Sequence, residues 1–86
     1  MSFEGVIDKI AIDLTSIWGE MTPYIMRKRF VDVGASIENA SRDQMERVIL
    51  LIEEKALAVT LGREMARKRA LQYMRWLREA HPDETR

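Results

Sequence analysis

His81 is the only histidine of the chain, and there is no cysteine. It therefore lacks the second imidazole or the thiolate that a zinc site requires. Placed beside Pro82, at what reads as a helix carboxyl end, it suits a favourable charge against the helix dipole. Aspartates and glutamates are plentiful, but no Glu-x-x-His pair is present to build a di-iron site inside a helical bundle. Phosphate-cradling Gly-x-x-x-x-Gly-Lys and nucleophile-bearing Gly-x-Ser-x-Gly are missing as well, and Ser16, Ser36 and Ser41 have no nearby base. We therefore expect no catalytic residues, no metal and no cofactor. The six methionines and two tryptophans read as adaptable core and interface filler.

Cations offer the remaining chemistry. Arg27, Lys28, Arg29 and Arg47 could hold a dicarboxylate, as in small helical enzymes of the chorismate mutase type, but three consecutive basic residues on one short helix cannot all point inward. A second set, Arg63, Arg67, Lys68, Arg75 and Arg78, lies on one helix: residues 63 to 78 hold six Lys or Arg against one acid, while residues 1 to 62 hold seven against ten. This block reads as a solvated face, then as a docking or anion-binding surface, and only after that as a nucleic-acid contact. Trp76 falls outside the centre of that face, so no platform for stacking bases is evident.

The elements that position these residues follow from periodicity. In 86 residues, 47% apolar with two prolines and four glycines, there is material for one all-α domain, too hydrophobic for disorder and too interrupted by charge for a membrane span. Early acids at Glu4 and Asp8 and no basic segment leading into an apolar one predict no signal peptide, and the missing cysteines suit a cytoplasmic setting. Ser2 is placed to cap a first helix, in which Phe3, Ile7, Ile10, Leu14, Ile17, Trp18 and Met21 recur at three and four. Pro23 closes that helix near residue 21 and opens a second, over about 23 to 33, with Thr22 as its cap and Gly34 as its left-handed terminator. Met26, Phe30 and Val33 share one side of it, Tyr24 and Val31 the other.

Ser41 with Gln44 three residues on spells a capping box and starts a third helix at Arg42. Met45, Val48, Ile49, Ile52, Ala56 and Val59 form its inner stripe, and Leu50 and Leu57 lie about a third of a turn further round. Two apolar faces on one helix of a small protein suggest that Leu50 and Leu57, with Tyr24 and Val31, are buried between chains. Gly62 predicts a break, and a fourth helix follows over about 63 to 80, with Ala66, Ala70, Tyr73, Met74 and Leu77 inward and a loose tail at 82 to 86.

The string Ile17-Trp18-Gly19-Glu20-Met21-Thr22-Pro23, the ending Val33-Gly34, the Ser-capped polar loop and Leu61-Gly62-Arg63-Glu64-Met65-Ala66 together resemble a small helical accessory module of bacterial and archaeal signalling and regulatory proteins. The proline departs from that pattern: it stands four residues after the turn glycine instead of next to it. The resemblance implies an assembly or docking part tethered to a signalling protein partner. Taken with the residues, it predicts a small four-helix bundle that dimerises and serves as a non-enzymatic interaction or regulatory module, with nucleic-acid binding through the last helix as the alternative and no membrane partner.

Overall fold

Phe3, Val6, Ile7, Ile10 and Leu14 repeat at three and four, and they form the buried side of the first helix, α1, Glu4–Trp18. The structure, a computed structural model, describes residues 3–80. All its regular elements are helices, with a loop over residues 33–41 and no strand among the described residues. Ser2, His81, Pro82 and the tail lie outside them, so the cap expected at Ser2 and the helix-end charge expected at His81 are not described.

Gly19 ends α1 with φ 55°, a conformation open to glycine, while its N–H still donates to the Thr15 carbonyl. One 3-10 turn, Gly19–Met21, leads without a gap into α2, Thr22–Asp32. Two expectations fail here for that reason. Met21 is exposed, because the tighter turn rotates it off the α1 stripe. Thr22 is no cap: it has helical angles, its N–H donates to the Gly19 carbonyl, and its hydroxyl is buried without a partner. The other end of α2 follows local chemistry closely. Gly34 at φ 70° donates to the Val31 carbonyl and Ala35 to that of Phe30, which is the Schellman arrangement that satisfies the last carbonyls.

Ser41 caps α3, Arg42–Ile52, through both bonds of the box: Gln44 N–H donates to Ser41 Oγ at 3.1 Å, and Ser41 N–H to Gln44 Oε1 at 2.9 Å. Met45, Val48, Ile49 and Ile52 are buried as the periodicity predicts. A turn of π-helix, Glu53–Leu57, then inserts an extra residue before α4, Ala58–Leu61. This resets the register, so the next buried apolar position is not Ala56 but Leu57, five residues after Ile52 and 0% exposed. Val59, expected on the inner stripe, is turned out and 80% exposed. Leu57 is thus core within the chain and shares no outer face with Leu50.

Gly62, at φ 89° and ψ 161°, ends α4 and begins α5, Arg63–Glu79, in a backbone region that only glycine occupies at ease. A Cβ there would meet nothing within 4 Å, so the constraint is conformational and not steric. Ala66 and Ala70 let α5 approach closely, and Tyr73 and Leu77 complete its buried side. α5 packs on α3, the π turn, α4 and α1, and α2 packs on α1 and α3. Arg42 ties the start of α3 to the end of α5: its guanidinium donates to the carbonyls of Leu77 and Ala80 and lies over the Phe3 ring at 5.0 Å.

Candidate interaction surface

Three surfaces carry charged or aromatic groups, and they differ in how far the chain satisfies them. The first is a seam between α1 and α5. Asp13 Oδ2 accepts a hydrogen bond from Arg69 Nη1 at 2.7 Å and another from the Tyr73 hydroxyl. Burial, reinforced by that carboxylate, pushes the Tyr73 phenol well above its ordinary range, and Arg69's own hydrogen bond to Asp13 raises Arg69 further. Tyr73 stacks on Trp76 at 5.7 Å, and Lys9 Nζ stands 5.9 Å from the centre of the Trp76 ring. Trp76 is therefore already engaged on both counts. Neither Asp13 nor Arg69 stands out in the sequence, because the pairing spans 56 residues.

The second surface lies between the π turn and the start of α5, a depression of about 760 Å³ lined by Glu53, Glu54, Lys55, Ala58, Arg63, Glu64 and Arg67. Arg63 and Arg67 come together here as the basic block suggests, but among three glutamates, and Arg67 Nε is paired to the largely buried Glu53 at 3.1 Å. Lys68 lines a separate hollow with Asp13, Met65, Arg69 and Gln72, and Arg78 another with Arg42, Glu46, Met74 and Leu77. Arg75 is exposed and lines none of these. The five cations thus share the outer side of α5 without forming one basic pocket.

The third surface is a cleft of about 350 Å³ between α2 and the segment 55–60, lined by Trp18, Tyr24, Ile25, Lys28, Arg29, Lys55, Ala56, Val59 and Thr60. Its volume is that of a small ligand or of one or two large side chains. The 3-10 turn and the π turn form it together: one ends α1 at Trp18, and the other turns Val59 outward. Trp18 Nε1 donates to Thr60 Oγ1 at 3.3 Å, which fixes the indole across the cleft floor. Tyr24 and Val59 stand at its mouth, 64% and 80% exposed. Lys28 and Arg29 each reach Asp32, at 3.6 and 3.5 Å, but Arg29 Nε is buried with no acceptor. Of the four cations considered for a dicarboxylate, Lys28 and Arg29 line this cleft, while Arg27 and Arg47 are exposed elsewhere.

Of the four apolar positions expected between chains, Leu57 is withdrawn, since the π turn puts it in the chain's own core. Tyr24, Val31 and Leu50 remain at the surface, the last two 68% and 43% exposed. Among the described residues no group of three or more His, Cys, Asp or Glu is placed to hold a metal ion, and no helix is long and apolar enough to cross a membrane. Comparison with protein-family models, with curated proteins and with solved structures gives no match.

Proposed function

We propose that the chain is a non-enzymatic protein-protein interaction or regulatory module, a small four-helix bundle of α1, α2, α3 to α4, and α5 that pairs with a second copy through exposed apolar helix positions. The observation that carries this reading is the exposure of Val31 and Leu50 outside a core that is already closed by Met26, Phe30, Val48, Ile49 and Leu57. Full burial of a large apolar side chain is worth about 1.5 to 3 kcal/mol, and covering Val31 and Leu50, already partly buried, would add roughly half of that each. A domain of this size also gains stability from pairing. Tyr24 belongs to the cleft and is left out of the pairing surface.

Sedimentation at two protein concentrations, about 10 µM and about 500 µM, tests the pairing, a range that brackets ordinary dimer affinities. A dimer that dissociates on replacing Val31 and Leu50 together by Gln, with helicity retained, supports it. A wild-type chain that stays monomeric at the higher concentration removes it. Nucleic-acid binding ranks lower because Arg63 and Arg67 stand among Glu53, Glu54 and Glu64 and because Trp76 is stacked inside the chain. What binding the outer face of α5 gives should be weak and should fade steeply with salt, since counterion release is then its only driving term.

A further inference from the structure

The cleft between α2 and residues 55–60 has an apolar floor and a cationic edge, and it contributes no carboxylate of its own. We infer that it receives an acidic segment of a partner protein, which plants one large apolar side chain against Trp18, Ile25 and Val59 and sets its carboxylates against Lys28, Arg29 and Lys55.

Charge complementarity selects the acids. Three cations border an opening of about 350 Å³, Asp32 pairs two of them from outside the lining, and Lys55 makes no ion pair among the described residues. Arg29 is largely buried and holds its charge at the edge of the cleft, where charge-assisted hydrogen bonds to a carboxylate are the strong ones.

The open mouth selects a segment of protein over a small molecule. Small ligands have most of their surface covered by their site. Tyr24, Val59 and the Lys28 side chain are too exposed for the cleft to do that alone. An anchor side chain is covered from behind by its own backbone and needs only the floor. A second copy seated cleft to cleft does not fit, because that would bring the same three cations face to face.

This inference rests on reading the chain as an interaction module, though not on its pairing. The test uses the intact chain, isotope-labelled, and a capped octapeptide Asp-Glu-Asp-Phe-Leu-Glu-Asp-Glu. Resonances of Lys28, Lys55, Val59 and the Trp18 indole should move together with a Kd below about 1 mM, while the Trp76 indole stays put. Reversing Lys28 and Lys55 to Glu should weaken binding at least about tenfold, and added salt should weaken it in the wild type, as exposed charges are screened. Val59→Asp, at a position too exposed to matter to the fold, should abolish it.

The inference is overturned if the cleft resonances do not move by about 2 mM peptide. Equal binding of a peptide with Lys for every acid, or of one with Ser and Gly for Phe and Leu, also overturns it, as does equal binding of 3-phenylpropionate. So does movement of the same resonances on raising protein concentration alone. Sedimentation reads pairing separately: a dimer without peptide binding removes only this inference, and a monomer that binds peptide removes only the pairing.

Discussion

The seam between α1 and α5 and the cleft beside α2 are built from the same kinds of residue, cations against aromatic rings, and they end in opposite states. At the seam Asp13 supplies an acceptor to both Arg69 and Tyr73, and Trp76 lies between Tyr73 and Lys9. Donors and rings there are satisfied within the chain. At the cleft no carboxylate lines the opening, Arg29 Nε has no acceptor, and Tyr24 and Val59 face outward. One carboxylate at the right place makes the difference. Asp13 stands between two helices and holds them together, whereas Asp32 pairs Lys28 and Arg29 from outside the cleft, so its apolar floor and Lys55 are left for something else to meet.

The largest expected effect tests the wall of the cleft. Leu57→Ala should destabilise by about 2 to 5 kcal/mol, the range for emptying a packed leucine site, whereas Val59→Ala should change stability by no more than about 0.5 kcal/mol. Equal effects in urea denaturation would mean that the π turn is not there and that the comparison is drawn on the wrong register.

The seam should respond next. Asp13→Ala leaves the Arg69 guanidinium and the Tyr73 hydroxyl without their acceptor, at a cost of about 1 to 3 kcal/mol by the same measurement. A change near zero would reduce the seam to a surface contact and erase its contrast with the cleft.

Tyr73→Phe sharpens the same point through pH, at about 1 kcal/mol near neutrality for one hydrogen bond. The folded chain holds the Tyr73 proton more tightly than the unfolded chain, whose phenol ionises near the ordinary tyrosine value of 10.0. Above that pH the unfolded state binds fewer protons than the folded one, so stability should fall as pH rises, having been fully present below it. The variant should lose this part of the alkaline decline. An identical decline in wild type and variant would place its origin elsewhere.

The smallest effect lies at the start of α2, where Thr22 buries a hydroxyl with no partner. Thr22→Val keeps the shape and removes the unsatisfied group, so melting should be unchanged or shifted upward by the equivalent of about 1 kcal/mol at most. A clear loss would show that the hydroxyl has a partner in solution.

Where a signal is carried by a few neighbouring residues, the sequence and the structure mostly agree, the cap expected at Thr22 being the exception. Ser41 and Gln44 close both bonds of a capping box, Gly34 terminates α2, and Gly62 separates α4 from α5, because each of these depends on backbone geometry within one turn of chain. The buried stripe of α3 is legible for the same reason up to Ile52. Past it, periodicity misleads: Glu53 to Leu57 contains no proline or glycine, and helix-forming residues alone do not mark a π turn. The π turn packs against α5, and its extra residue goes with Leu57 in the core and Val59 at the cleft.

The all-helical class and the start of α3 were thus determined by the sequence itself, since composition, spacing and capping act locally and do not depend on where the other helices lie. The pairing of Asp13 with Arg69 and Tyr73, the closure of α5 by Arg42, and the meeting of Trp18, Lys28 and Lys55 around one cleft were decided only by the tertiary structure. Each joins side chains from distant parts of the chain, and their spacing along the sequence carries no record of which helix faces will pack together.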